Sequence, residues 1–349
     1  MTVEATDFAL RVVQWQTAHG RHDLPWQRTR DPYRVWLSEI MLQQTQVSTV
    51  GQYYGKFLAK FPDVASLAVA ELDDVLALWS GLGYYSRARN LHRCAQEVMG
   101  RFDGRFPAAA ALLQTLPGIG RSTAAAIASF CFGERAAILD GNVKRVLTRA
   151  LGFDADLSLI ANERVLWARA EALLPHDRPA DNMPRYTQGL MDLGATVCLS
   201  RNPVCDACPL APLCVAQREG RPQAYPVKTR KLKRSAESLW LLWARNHEGA
   251  IWLERRPTPG VWAGLFCLPV FASHEALGAV VPAHEQSGLE SLPVSVHALT
   301  HKDLHLHPVR LTLPVKTLTQ GDGGAWFGPA QWPKLGLPAP VRTLLGAPL

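Results

Sequence analysis

Residues 116–132 read LPGIGRSTAAAIASFCF, and this stretch decides the architecture of the first half of the chain. The preceding AAALLQTL (residues 109–116) favours a helix, the Pro-Gly-Ile-Gly segment breaks it, and an Ala-rich helix follows. Glycines allow a tight turn and a close approach to a ligand, while the free N–H groups that open a helix attract phosphate. The pattern predicts a helix–hairpin–helix in which Gly118, Gly120 and Arg121 bind phosphate; a purely structural turn is the alternative.

Length and composition indicate two globular domains and a polyanionic partner. The chain has 349 residues, of which 48% are hydrophobic and 19% charged, with a formal net charge of +7. This basic balance suits a nucleic acid, although many basic proteins bind none. The N-terminus lacks the apolar core of a signal peptide, and no stretch reaches membrane-spanning length. We therefore expect a cytoplasmic protein.

Residues 1–225 show helical spacing of apolar residues, which predicts an all-α domain. One helix begins after Asp31-Pro32, a plausible cap and first-turn proline. Its apolar stripe predicts a buried face and consists of Tyr33, Trp36, Leu37, Ile40 and Met41.

The pattern changes after a basic segment. Residues 226–235 contain VKTRKLKR, which we interpret as a solvated interdomain linker. Beyond it, SLWLLWARN and AIWLERRP predict two strands around Asn246 to Gly249, and HPVRLTLPV alternates near residues 307–315. The sequence therefore predicts an α+β domain over residues 236–349.

Four of the seven cysteines fall in one short segment, with six, two and five residues between them. Clustering of this kind in a chain without an export signal points to a metal centre rather than to disulfides. Four thiolates suit either zinc or a [4Fe–4S] cluster, and composition does not separate the two. The candidate ligands are Cys198, Cys205, Cys208 and Cys214.

Two carboxylates are candidates for acid and charge-stabilising roles. Glu39 lies on the helix described above but off its apolar stripe, so it can face a cleft; an ordinary solvated glutamate is the alternative. Asp140 follows an apolar run and precedes Gly141, a helix N-cap context that favours an ionised carboxylate; a simple cap is the alternative. Two carboxyl groups in different protonation states can supply a proton and a negative charge to one reaction centre.

Five motifs follow one another over roughly residues 20–220. In chain order, and ending at the first cysteine of the cluster, they are WLSEIMLQQTQV, GLGYYSRARNLH, LPGIGRSTA, ILDGNVKRVL and MDLGATVC. Together these motifs resemble the MutY family of adenine-specific mismatch DNA glycosylases. The C-x6-C-x2-C-x5-C spacing is that of the [4Fe–4S] cluster in endonuclease III-like glycosylases, so the resemblance implies this cofactor.

By this resemblance, Glu39 is the general acid that protonates adenine and helps to activate water. Asp140 stabilises or transiently captures the sugar cation, with Asn142 close by. The remaining assignments are Trp26 and Gln188 as lining of the adenine pocket, and Gln44 and Tyr84 as residues that enter the duplex when the adenine leaves the stack.

The resemblance also implies hydrolysis by water alone. Bifunctional relatives have a lysine at the position of Ser122. Neither this serine nor the preceding Arg121 can form a Schiff base. In this chain the resemblance assigns Ser122 to substrate binding. Lys144 matches a lysine of the family that can incidentally trap a sugar aldehyde. A weak secondary activity that nicks the DNA strand is therefore an open alternative. The alternative function is a bifunctional pyrimidine-damage glycosylase and lyase of the endonuclease III type.

Residues 236–349 resemble the family's Nudix-like C-terminal domain through RRPTPGVWAGLFCLPV and HALTHKDLHLH. Nucleotide hydrolysis needs an acid-rich helix that holds metal, and the stretch from Val270 to Val296 has only three scattered glutamates. By the resemblance, Thr300 and His301 sense 8-oxoguanine opposite the adenine. The alternating histidines around them fit a strand edge better than a metal site.

The expected partner is double-stranded DNA with an A:8-oxoguanine or A:G mispair, bound by a monomer associated with a bacterial nucleoid. A rival of another class is a non-catalytic DNA-binding protein with structural zinc, which would be colourless.

Overall fold

The computed structural model describes residues 5–229, 233–313 and 324–347. Contacts within the chain divide it into two compact units, residues 1–69 with 90–231 and residues 70–89 with 232–349. The sequence places residues 70–89 in the first domain, whereas several of their contacts are made with the second unit. Ser80 Oγ donates to Leu337 O at 2.9 Å, and Asp73 forms an ion pair with Arg255 at 2.6 Å.

The chain up to residue 218 is helical where it is described, as predicted. Short 3₁₀ turns at Pro25–Arg28, Cys205–Ala207 and Ala211–Leu213, and a π turn at Leu193–Val197, interrupt the α-helices. The helices are α1 (Ala5–His19), α2 (Pro32–Leu42), α3 (Val47–Lys60), α4 (Val64–Ala68), α5 (Leu72–Trp79), α6 (Ser86–Phe102), α7 (Ala110–Leu113), α8 (Arg121–Phe132), α9 (Gly141–Leu151), α10 (Ile160–Ala172), α11 (Pro179–Asp192) and α12 (Val215–Arg218).

Helix α2 forms as its sequence predicts. Asp31 caps it, since its Oδ1 accepts the N–H of Tyr33 at 2.9 Å, and Pro32 occupies the first turn. All five residues of the predicted stripe are buried. Because the stripe is buried, Glu39 is left on a different side of the helix.

The hairpin differs from the prediction in the length of its first helix. Helix α7 has only four residues, and Thr115 and Leu116 continue it as tighter turns through i to i+3 hydrogen bonds. Gly118 adopts φ 78°, a conformation that favours glycine, and a Cβ there would lie 2.8 Å from the Cβ of Asn90. Both the backbone conformation and the lack of space therefore require glycine at this position. Helix α8 then runs for twelve residues, as predicted.

The core of the first unit surrounds α11, which packs against α1, α8 and α9. Its largest fully buried members include Phe8 and Tyr186, whose rings meet edge to face at 6.4 Å. Beyond Asp192 the helix passes into the π turn, and a Cβ on Gly194 there would lie 2.6 Å from the Cβ of Asn142. This close approach joins the end of α11 to the start of α9.

The second unit contains an eight-stranded mixed sheet, in agreement with the predicted α+β class. Its main path runs β3-β2-β1-β7-β5, with β4 beside β1, β6 beside β7 and β8 beside β2. The strands are β1 (Ser235–Arg245), β2 (Ile251–Arg255), β3 (Phe266–Cys267), β4 (Val270–Phe271), β5 (Glu290–Ser291), β6 (Ser295–Ala298), β7 (Lys302–Thr312) and β8 (Gly324–Phe327), and the helices are α13 (His274–Ala279) and α14 (Ala339–Gly346).

The three predicted strands are present, with one change in length. β1 and β2 pair antiparallel around Asn246, whose Oδ1 accepts the N–H groups of Glu248 at 3.0 Å and Ala250 at 2.8 Å. β7 begins at Lys302, before the predicted start at 307, because all eleven residues of β1 pair with it in parallel register. The predicted continuation through residues 314 and 315 lies outside the described residues.

The described part of the basic linker is attached to the first unit. Val227 O accepts the N–H of Leu157 at 3.0 Å, and the hydroxyl of Thr229 donates to Asp156. Its residues 230–232 lie outside the described residues. The domain boundaries proposed from the sequence stay a prediction.

Candidate active site

Glu39 and Asp140 line one cavity of about 670 Å³ in the first unit. The same cavity is lined by three other residues singled out from the sequence, Gln44, Ser122 and Asn142. Helix α2 supplies Glu39 and the N-terminal end of α9 supplies Asp140. The structure therefore brings the two predicted carboxylates together around a common space.

Glu39 is held in the protonated form at neutral pH. Burial, and after it the negative charge of Asp140, together raise the pKa of Glu39 to about 8. Its side chain is half-buried, because it faces the cavity rather than the core of the unit. A carboxyl group in this state can donate a proton at physiological pH.

Asp140 caps helix α9 while it faces the cavity. Its Oδ1 accepts the backbone N–H groups of Asn142 at 2.7 Å and Val143 at 2.9 Å. These bonds fix the carboxylate at the positive end of the helix. The sequence motif predicts both the cap and its position.

Asn142 is oriented by a residue that sequence reasoning missed. Arg145 Nη2 donates to Asn142 Oδ1 at 2.8 Å and to Gly194 O at 2.6 Å, while its Nε donates to Cys198 O at 2.7 Å. An arginine three residues after a helix-start asparagine was the available signal, because i and i+3 side chains meet on a helix.

A second cavity of about 380 Å³ also has Glu39 in its wall, together with Trp26 and Gln188. The indole of Trp26 is buried and meets Tyr54 edge to face at 5.4 Å. Gln188 Nε2 donates to Asp192 Oδ1 at 2.9 Å. The two residues assigned to an adenine pocket thus share one space with the proposed acid.

Two further residues of this cavity, Arg21 and Gln27, went unnoticed in the sequence. Arg21 donates to Asp192 from Nε at 2.7 Å and from its backbone N–H at 3.0 Å, and Gln27 lines the cavity wall. The amide of Gln27 is buried and has no hydrogen-bond partner among the described residues. Gln27 directly follows Trp26, which was the only sequence signal for it.

The hairpin residues divide between backbone and side-chain roles. Gly120 is the N-cap of α8 and has no side chain to accept the first N–H groups of that helix. The Arg121 side chain is engaged within the unit, because it lies 3.9 Å above the Trp167 ring and bonds Glu171. A phosphate at this site would therefore meet mainly backbone N–H groups.

Ser122 has a structural bond besides its place in the cavity wall. Its Oγ accepts the backbone N–H of Leu139 at 3.0 Å, one residue before Asp140. Lys144 is held in an ion pair with Glu163, with Nζ and Oε1 2.7 Å apart. Neither position offers a free amine beside Asp140.

The second unit brings Tyr84 and Thr300 into contact. The Tyr84 hydroxyl contacts Thr300 Oγ1, and the Arg87 guanidinium lies 5.5 Å from the Tyr84 ring centre. Tyr84 adopts φ 47°, a backbone conformation that non-glycine residues rarely take. Thr300 and the exposed His301 lie in the loop between β6 and β7, so two positions predicted to contact DNA are neighbours.

The four clustered cysteines line one small cavity, together with Arg149. The guanidinium Nη1 of Arg149 donates to Cys198 Sγ at 3.3 Å and to Leu199 O at 2.6 Å. In the described ranges, no group of three or more His, Cys, Asp or Glu side chains is arranged to hold a single metal ion. The convergence of four soft sulfur donors beside a cation fits an anionic cluster.

One histidine and one glutamate of the second unit, His307 and Glu290, make contacts within that unit. His307 stacks on Trp240 with ring centres 4.4 Å apart, and Glu290 forms an ion pair with Arg310 at 2.6 Å.

Within the described part of the chain, no helix is long and apolar enough to cross a membrane.

Family comparisons agree with this fold and site. Residues 37–251 match a family model described as HhH-GPD superfamily base excision DNA repair protein, and residues 240–347 match one described as NUDIX domain. The helical unit, its hairpin and the carboxylate-lined cavity thus define a base excision DNA repair protein of the HhH-GPD superfamily.

Relatives narrow this class to one family. The adenine DNA glycosylase of Buchnera aphidicola subsp. Acyrthosiphon pisum (strain APS) is 38% identical over 344 residues, 97% of this chain and 96% of that protein. The Homo sapiens adenine DNA glycosylase is 44% identical over 224 residues, 62% of this chain and 40% of that protein. The chain belongs to the adenine DNA glycosylase family, which confirms the predicted resemblance.

A solved structure supports the same scaffold. The structure of a thermostable thymine-DNA glycosylase superposes with a TM-score of 0.53 and 29% identity, and covers 62% of this chain and 97% of that chain. The predicted class, a helical glycosylase domain followed by a Nudix-like α+β domain, is confirmed.

Proposed function

We propose that this protein removes adenine from A:8-oxoguanine and A:G mispairs in duplex DNA by hydrolysing the N-glycosidic bond. The observation that carries this proposal is the shared cavity of Glu39 and Asp140, in which burial and the charge of Asp140 together raise the pKa of Glu39 to about 8. The site therefore combines an acid with a negative charge.

In the proposed reaction, Glu39 donates its proton to a ring nitrogen of adenine. The bond from C1′ to N9 breaks, its electron pair goes to the departing base, and positive charge develops on the sugar. Asp140 stabilises this charge, and Asn142 is held beside it by Arg145. Water then bonds to C1′ and gives a proton to the Glu39 carboxylate, which restores the acid.

The base must leave the helical stack before these groups can reach it. The second cavity, with Trp26 and Gln188 in its wall, is the proposed receptor for the extruded adenine. Gln44, in the wall of the carboxylate cavity, and Tyr84 are proposed to enter the duplex, where an amide bonds the orphaned base and a ring replaces lost stacking. Backbone N–H groups at the Gly118 to Gly120 hairpin bind a phosphate.

Hydrolysis without a lyase step follows from the same residues. A Schiff base needs an uncharged amine, and Ser122 supplies none. Lys144 is paired with Glu163 and contributes at most a weak secondary nicking activity. We assign recognition of 8-oxoguanine to Thr300 and His301, which lie in the loop between β6 and β7. The Tyr84 hydroxyl contacts this loop at Thr300 Oγ1.

We assign a [4Fe–4S] cluster to Cys198, Cys205, Cys208 and Cys214, with Arg149 balancing its negative charge. When bound, the cluster would cross-link the loop from 198 to 214 through four thiolate bonds, and the hydrogen bonds of Arg149 join this loop to α9. The protein is proposed to act as a monomer on chromosomal DNA, in the cytoplasm and at the nucleoid of a bacterium.

The decisive experiment uses a duplex with a labelled strand that carries adenine opposite 8-oxoguanine. After incubation, one half is treated with alkali and both halves are resolved by denaturing electrophoresis. We expect strand breaks only after alkali, together with release of free adenine. Breaks without alkali, or release of an oxidised pyrimidine from a matched duplex, would instead favour the endonuclease III type of lyase.

A further inference from the structure

Asp192 lies behind the wall of the cavity that Trp26 and Gln188 line. Its side chain is completely buried and accepts three hydrogen bonds. Arg21 donates two of them, from Nε at 2.7 Å and from its backbone N–H at 3.0 Å, and Gln188 Nε2 donates the third at 2.9 Å. Gln188 precedes Asp192 by one turn of α11, so both side chains are on one face of the helix.

This arrangement gives the Gln188 amide one orientation. A carboxylate paired with a guanidinium only accepts hydrogen bonds, so the NH₂ end of Gln188 must face Asp192. Gln188 lines the cavity, and the other end of its amide, Oε1, takes part in no hydrogen bond with the residues that the structure describes. An isolated side-chain amide can rotate by about 180° at little cost. In Gln188 this rotation would place the amide oxygen next to the buried Asp192 carboxylate, where two acceptors would face each other.

The orientation matters for which purine the cavity accepts. Adenine has an amino group at position 6, which donates hydrogen bonds, whereas hypoxanthine and guanine have an oxygen there, which only accepts. An amide oxygen in the cavity wall attracts the 6-amino group of adenine and repels the 6-oxygen of hypoxanthine or guanine. Sites built around a directed hydrogen bond reject the mismatched analogue because a polar group is left unpaired.

We infer that Asp192 is a positioning residue that fixes the polarity of Gln188 and thereby makes the cavity selective for 6-amino purines. This inference rests on the proposed function, because it assumes that the cavity receives the extruded base. Arg21 contributes by holding the Asp192 carboxylate through two of its donors.

The test measures the ratio of single-turnover rates on two duplexes that differ only in adenine or hypoxanthine opposite the same 8-oxoguanine. Intrinsic differences in bond lability cancel when this ratio is compared between variants. Asp192→Asn and Asp192→Ser both remove the acceptor-only carboxylate, and the serine variant introduces no competing amide. We expect the adenine preference to fall about tenfold in these variants and in Gln188→Leu.

Two controls separate positioning from a loss of stability. Thr187→Val breaks a buried hydrogen bond to Ser129, 2.8 Å long, on the same helix, and should leave the ratio unchanged. In a Gln188→Leu background, Asp192→Asn should cause no further change in the ratio, because Asp192 acts through Gln188.

The inference is overturned if Asp192→Asn and Asp192→Ser slow both substrates equally, or if the ratio is unchanged while the wild-type protein excises adenine. Failure of the wild-type protein to release adenine at all is a different result, since it removes the proposed function as well.

Discussion

Glu39 and Asp140 line the same cavity. Burial and the negative charge of Asp140 together raise the pKa of Glu39 to about 8. At neutral pH the cavity therefore contains a protonated Glu39 beside the charge of Asp140. Hydrolysis of a glycosidic bond needs both at once.

Replacement of Glu39 by Gln should slow excision strongly and preserve folding. Gln has the size of Glu but cannot donate an acidic proton, so we expect the single-turnover rate to fall by about 10²- to 10⁴-fold. Affinity for the mismatched duplex, measured by fluorescence anisotropy, should stay within about threefold.

The same variant allows a stability control. Between the ordinary pKa of 4.5 and about 8, folded wild-type protein keeps a proton that the unfolded chain releases, so its stability falls as pH rises through this window. Glu39→Gln lacks this loss and should be at least as stable as wild type at pH 8 in urea unfolding. An unstable variant would leave its inactivity without a catalytic explanation.

The rate of excision should fall as pH rises through about 8. In the proposed mechanism Glu39 acts in its protonated form, and above its pKa the protonated fraction falls by about tenfold for each pH unit. Single-turnover rates from pH 6 to 9.5 test this, with circular dichroism at each pH as a control for folding. A rate that stays level to pH 9.5 would contradict the role of Glu39 as acid.

Asp140→Asn should separate the helix cap from the chemistry. Asparagine also caps helices, so stability should change little, whereas Asp140→Ala should cost about 1 kcal/mol. Both variants remove the negative charge and should lower the excision rate by at least about a hundredfold. In Asp140→Asn the descending limb of any residual pH profile should move to lower pH, because the charge that raises the Glu39 pKa is gone.

Tyr84 should contribute to duplex binding mainly through its ring. Tyr84→Ala should weaken binding by about 1–3 kcal/mol, as expected for lost stacking on one base. Tyr84→Phe keeps the ring but loses the hydroxyl contact with Thr300, so it should bind well while the 8-oxoguanine preference decreases. Equal weakening by both substitutions would mean that the hydroxyl, rather than the ring, carries the interaction.

Loss of one cluster cysteine should remove iron from the protein. Cys208→Ser should give a colourless protein with little iron by elemental analysis after anaerobic purification, whereas wild type should be brown with about four iron atoms. Cys131→Ala is the matched control, because this half-buried cysteine lies outside the four-cysteine cavity. A single zinc ion in place of iron would refute the cluster assignment.

Local patterns predicted the parts of the molecule that depend on neighbouring residues. The stripe on α2 and the cap at Asp140 are fixed by helix periodicity and by backbone N–H groups within three residues. Spacing and composition also indicated the two-strand turn at Asn246.

Long-range contacts could not be predicted in the same way. The bond between Arg21 and Asp192 joins residues 171 positions apart, and no local pattern distinguishes it from a surface pair. The short α7 and the grouping of residues 70–89 with the second unit likewise depend on tertiary contacts that override propensity.

The two oxygens of Asp140 have separate tasks. Oδ1 accepts both backbone N–H groups of the first turn of α9, and Oδ2 takes no hydrogen bond from the described residues. The carboxylate is therefore aimed by the helix that it starts, so fraying of that first turn would misalign it with the deoxyribose. In the proposed reaction, catalysis would thus be coupled to the local folding of a single helical turn, and substitutions that loosen this turn would impair catalysis without touching the DNA.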